Sequence, residues 1–351
     1  MTAHAATAEG ELLTPHDTRY IFVLPFSTDP VLARRFLARD YEMVGNIRFG
    51  KLLETLDKVA ENTALAYVHR FHPDARVVTA AVDSIVLRNP ADTKHDLVFS
   101  AQINHVGKSS MEVGIRIECL GASPGHLASC YFTMVARSAD SDEARSLPLP
   151  PLRYEHEVDV KRYRKAEERR RVYREGLAKA EEMPSLDEYL FLKKLHREQE
   201  AEGFSGLRAR DLVLESTCKA YPEQENVPKT IFGGYLIRKA YELAALAAEM
   251  VAPDRAVPCR VNRINFNQPV LLGDQLKFTA RVVYTGRTTI AVQSDIERFS
   301  RSAGDKALSN SCLFTFSNVD AGMQPQPVPF IYPVTYAEDA RFLNAYRQRV
   351  D

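Results

Sequence analysis

The chain has 351 residues, enough for two domains of ordinary size. Hydrophobic residues make up 45% and charged residues 26%, and 46 basic side chains balance 46 acidic ones. That balance argues against a dedicated nucleic-acid binder, and no apolar run approaches the roughly 18 residues of a membrane span. The first twenty residues carry Glu9, Glu11 and Asp17 against one basic residue, Arg19, so neither a secretory signal nor an Arg-rich presequence is expected. A soluble intracellular protein is the expectation. Five cysteines (Cys119, Cys130, Cys218, Cys259 and Cys312) lie scattered with no C-x-x-C pair, which fits neither a disulfide framework nor a zinc site. Cys130 and Cys312 read as buried thiols, and the nine histidines show no ligand spacing. No metal and no cofactor is expected.

In chain order, a Gly-containing turn leads into a helix over Phe49–Tyr67. There Leu52, Leu53, Leu56, Val59 and Ala60 make one apolar face. Alternating runs follow: Val82 to Ile85, Leu97 to Ile103 and Met111 to Ile117 read as antiparallel strands, with Gly107 in a turn between the long ones. Ser138–Leu207 connects to the second half. It opens on prolines and continues as a stretch of mixed charge from Lys161 to Met183, read as a solvated connecting helix. A second helix spans Gly233–Met250, apolar around more of its circumference and so expected to be the more deeply buried. After Asp320 the tail has four prolines and reads as an extended segment along the outside.

The two halves are copies. Val82–Val113 matches Val261–Val292 without a gap, pairing Ile85 with Ile264, Pro90 with Pro269, Phe99 with Phe278 and Gly107 with Gly286. Each copy reads as an α+β unit, one long helix wrapped by an antiparallel sheet. The expected division is 18–138, a charged helical linker 139–208, a second copy 209–320 and a Pro-rich tail 321–351.

Chemistry is expected at the two helix entrances. Gly233 and Gly234 at a helix start allow close backbone approach and leave unpaired N–H groups, a ready carbonyl or oxyanion site; a tight structural turn is the plainer reading. Superposing Gly50 on Gly234 sets Asp57 opposite Tyr241 and Glu42 opposite Asn226. Asp57 lies beside the apolar helix face, either solvated or buried with partners that offset its desolvation.

The segments RFGKLLETLD (Arg48–Asp57), VTAAVD (Val78–Asp83), VGKSSMEV (Val106–Val113), Pro222–Ala244 and IYPVTY (Ile331–Tyr336), in that order and with the duplication, resemble tandem-hotdog acyl-CoA thioesterases, the mitochondrial branch above all. The resemblance implies two hotdog domains packed as a pseudo-dimer and hydrolysis of fatty acyl-CoA to free acid and CoA at one composite site. Carried over, Asn226 with Gly233 and Gly234 makes one half and Asp57 the other. Asp57 would act as general base on water or as a nucleophile. The Glu42–Tyr241 pairing is expected to be silent, and Arg48-Phe49-Gly50 keeps only one glycine of the usual pair. Lys108 and Arg287 at strand turns are candidate contacts for CoA phosphates, with Arg260 and Arg263 as weaker ones. A trimer of such double units is the assembly the resemblance suggests. The rivals are a hotdog hydratase or dehydratase, a non-catalytic acyl-CoA-binding module and, last, an RNA scaffold working through Lys161–Arg174.

Overall fold

The computed structural model describes residues 12–40, 43–123, 125–139, 145–180, 183–227, 230–262, 264–300 and 304–349, with backbone alone for 173–180 and 225–227. The first repeat comprises β1 (Tyr20–Leu24), α1 (Pro30–Phe36), α2 (Phe49–Val68), β2 (Arg76–Val82), β3 (Ile85–Leu87), β4 (Leu97–Val106), β5 (Ser110–Cys119) and β6 (His126–Arg137). The connection carries α3 (Glu157–Ala180), α4 (Leu186–Gln199) and β7 (Leu207–Arg208). The second repeat comprises β8 (Val213–Lys219), β9 (Glu225–Val227), β10 (Thr230–Ile231), α5 (Gly233–Glu249), β11 (Ala256–Val261), β12 (Ile264–Asn265), β13 (Gln275–Thr285), β14 (Thr289–Ser300) and β15 (Asp305–Asn318). β16 (Ile331–Tyr332) and α6 (Tyr336–Arg347) close the chain.

Each repeat is the expected helix wrapped by antiparallel strands, and the two sheets join edge to edge. One 12-stranded sheet runs β1-β4-β5-β6-β3-β11-β15-β14-β13-β8, with β2 pairing both β6 and β12. Alternating burial along β6 and β15 puts Phe132, Met134, Phe314 and Phe316 on the side of the helices. The β4–β5 and β13–β14 turns close through Gly107 N–H to Ser110 O and Gly286 N–H to Thr289 O, as the glycine spacing predicts.

α2 and α5 pack on each other at the centre. Of the two, α2 is the more buried, with 13 of its 20 residues inside against 8 of 17 in α5, which corrects the sequence expectation. The apolar breadth of α5 is real, but Leu246 on its far side faces solvent. Cys130 and Cys312 are fully buried.

Two further expectations are corrected. α3 is not simply solvated: it docks on the outer face of β4 and β5, where the sheet presents buried Gln102, Asn104, His105 and Glu112 instead of apolar side chains. Arg169 of α3 donates to Glu112 at 3.0 Å and stacks over the Tyr131 ring at 3.5 Å, and Tyr163 stacks on His105. The contact is made by charge and rings, so helix-face hydrophobicity does not reveal it. The tail is not extended throughout. Thr335 and Glu338 form a capping box that starts α6, and Phe342, Leu343 and Ala345 bury one face of it against β13 and α4.

Candidate active site

The α5 entrance is where the two repeats exchange groups. Asp57, two turns into α2, is fully buried, and its Oδ2 accepts the Gly234 backbone N–H at 2.7 Å. Its Oδ1 accepts the Thr79 hydroxyl of β2 at 2.6 Å. The glycines are required by this approach. A Cβ on Gly234 would lie 2.8 Å from the Phe232 ring and 3.0 Å from the Asp57 Cβ, and one on Gly233 would lie 3.0 Å from the Phe266 ring and 3.3 Å from Asp57 Oδ2. The N–H of Gly233, also at the helix start, has no acceptor among the described residues.

Burial raises the Asp57 pKa from 3.8 to about 6; the hydrogen bonds from Thr79 and Gly234 pull against it, Glu61 adds to the rise and Lys58 opposes it. The carboxylate is thus mainly ionised at neutral pH yet basic enough to take a proton from water. Beside it a cleft of about 480 Å³ is lined by Glu54, Thr55, Lys58, Phe232, Tyr235 and Arg238 among others. Lys58 pairs with Glu61 at 2.8 Å and lies 5.9 Å from the centroid of the Phe232 ring. Arg238 pairs with Glu54 at 3.2 Å across the contact between the two central helices.

The other expected residues are placed less uniformly. The side chain of Asn226 and all of Arg263 and Glu42 lie outside the described residues. Lys108 and Arg287 are exposed at their turns with no charged partner among the described residues. Arg260 sits on β11 with Nη1 directed at Gln348 O at 3.5 Å and is not among the residues lining the cleft beside Asp57. Thr79 and Lys58 are the additions that sequence reasoning missed. Thr79 stands inside a segment already singled out, but its spacing of 22 residues from Asp57 carries no periodic signal.

At the α2 entrance, Tyr241 takes the place of Asp57. Its ring packs edge-on to Phe49 at 5.2 Å and beside Phe314 and Phe316. No carboxylate is recorded on the Gly50 N–H among the described residues: a Cβ there would meet the side chains of Arg238, Tyr241 and Glu242, and the Glu242 carboxylate is paired with Arg48.

The family model described as the thioesterase superfamily matches twice, over residues 57–122 and 229–302. Acyl-coenzyme A thioesterase 2, chloroplastic, of Humulus lupulus is 30% identical over 97% of this chain and 82% of its own length. Acyl-coenzyme A thioesterase 9, mitochondrial, of Homo sapiens is 28% identical over 93% of this chain and 75% of its own. A putative oleoyl thioesterase of Lactobacillus plantarum shares the fold with a TM-score of 0.50, at 10% identity over 86% of this chain and 96% of its own. Among the described residues no helix is long and apolar enough to cross a membrane. The chain belongs to the acyl-coenzyme A thioesterases and is a thioester hydrolase built from two hotdog repeats.

Proposed function

We propose that hydrolysis of fatty acyl-CoA takes place at one composite entrance, with Asp57 of α2 as general base and the start of α5 as the carbonyl site. The observation that carries this reading is the fully buried Asp57 carboxylate, held on the Gly234 N–H at 2.7 Å across the repeat boundary. The Gly233 N–H then donates to the thioester oxygen, where negative charge develops, and the positive end of α5 adds to it. One such donor is worth roughly 3–4 kcal/mol in the barrier. Asn226 holds the attacking water, Asp57 removes its proton, and collapse of the tetrahedral intermediate expels CoA thiolate.

The 480 Å³ cleft beside Asp57 supplies the way in for the thioester arm. Lys58 at that cleft, then Lys108 and Arg287 on the turns, are the cations offered to CoA phosphates. Phe232 and Phe266 cover the glycines, which keeps bulk water from the carbonyl until substrate displaces a ring. A trimer of these double units is the assembly we expect, read by light scattering.

Free-thiol release from acyl-CoAs between acetyl and palmitoyl, with wild type beside Asp57→Asn, tests the assignment. Release by wild type that vanishes in the variant is expected. Equal release by the two would remove Asp57 from the chemistry.

A further inference from the structure

The silent entrance has lost its chemistry but not its space. Tyr241 stands where the working entrance has Asp57, Phe49 where it has Gly233, and in the repeat alignment Pro258 where it has Thr79. Acid, supporting hydroxyl and first glycine are gone together. Yet a cavity of about 350 Å³ remains there, walled by Leu52, Leu87, Leu127 and Val319 among others. That is within the range of small-molecule pockets, roughly 300–1,000 Å³.

Two details set this cavity apart from a packing fault. Arg88 is the one charged side chain lining it; it is exposed, and its guanidinium has no partner among the described residues. Met323, in the proline-rich segment after β15, is the single non-glycine residue with positive φ (64°) among the described residues, and its side chain walls the cavity against Gly45. A methionine in the left-handed region is strained, so the surrounding turn must hold it. Asp320 does so, its Oδ1 accepting the Gly322 and Gln324 N–H groups at 2.9 Å each. The tail is thereby bent to roof an apolar space with one free cation at its edge.

We propose that this second cavity is a non-catalytic binding site for a molecule with an alkyl chain and an anionic head, the chain among the leucines and the head on Arg88. Two sources share that chemistry, a free fatty carboxylate and an acyl-CoA. The site retains its ligand unchanged, because none of the described residues lining it is an aspartate, glutamate or histidine that could take a proton from water. The proposal stands on the cavity and not on the catalytic assignment, so hydrolysis measured in the same preparations reports separately.

Equilibrium dialysis with radiolabelled octanoate and with the non-hydrolysable thioether S-octyl-CoA tests it on the wild type, Arg88→Gln and Ala91→Leu. Arg88 is exposed, so its variant folds; Ala91 is buried in the cavity wall, and leucine there fills the space. The catalytic cleft accounts for one bound equivalent of either ligand, so both variants should weaken the second equivalent by about tenfold, with kcat/KM for hydrolysis within about twofold of wild type. Loss confined to octanoate assigns a carboxylate, and loss confined to S-octyl-CoA assigns an acyl-CoA. A second equivalent unchanged in Arg88→Gln, retained in Ala91→Leu, or absent from the wild type at millimolar ligand overturns the proposal.

Discussion

The two helix entrances are built on one backbone plan and face opposite chemistry. At the start of α5, Asp57 meets Gly234 and Thr79, while Lys58 stands 5.9 Å from the Phe232 ring. The positions related to Lys58 and Phe232 by the repeat are Glu242 and Arg48. These two form a direct ion pair at 2.6 Å, which ties the start of α2 to α5. One entrance is covered by the Phe232 ring, and the other is clamped by the ion pair. A buried carboxylate costs free energy wherever it sits, whereas a buried tyrosine ring packed on three phenylalanines adds to stability. Duplication let one copy carry the cost of the acid while the other became part of the core.

Replacing the acid should break the comparison most sharply. Asp57→Asn removes the proposed base and is expected to lower kcat by about 10²–10⁴-fold in thiol release. The same change should raise Tm at pH 7–8. The folded carboxyl titrates at about 6 and the reference at 3.8, so its burial weakens the fold progressively as pH rises between these values. At neutral pH the relief is on the order of 2–3 kcal/mol, and a variant less stable than wild type at pH 8 would contradict the burial argument. In wild type, kcat/KM should climb with pH through about 6 and then level off.

Thr79→Val is next. It removes a hydrogen bond to a charged group, worth about 1.5–3 kcal/mol, so the acid limb of the pH–rate profile should move to higher pH and kcat fall by about ten- to a hundredfold. A profile unmoved in position would reduce Thr79 to packing. Asn226→Ala should lower kcat by at least about tenfold, and an unchanged rate would leave the second repeat contributing backbone alone. Tyr241→Phe should be nearly silent, with kcat within about twofold of wild type. A large loss there would mean that the two entrances had been assigned the wrong way round.

Much of this was legible in the residues. The ungapped match of Val82–Val113 to Val261–Val292 announced the duplication, and period-two alternation placed the long strands because each strand has one face on a central helix. The repeat register by itself also sets Asp57 opposite Tyr241. Helix burial was misjudged, because breadth of apolar surface says nothing about which side a neighbour covers. The docking of α3 was missed because arginines and tyrosines make it, and α6 because four prolines upstream dominated the reading of the tail.

By itself, then, the sequence determined the two-repeat α+β plan, the glycine pair and the acid that could serve it. These are properties of local spacing, which pleat and helix pitch translate directly into faces. Only the tertiary structure decided that Asp57 is wholly buried, that Thr79 supports it, and that the opposite entrance keeps a cavity under Met323. Each of those depends on groups brought together from distant parts of the chain, and such meetings are fixed by how the two repeats close on each other.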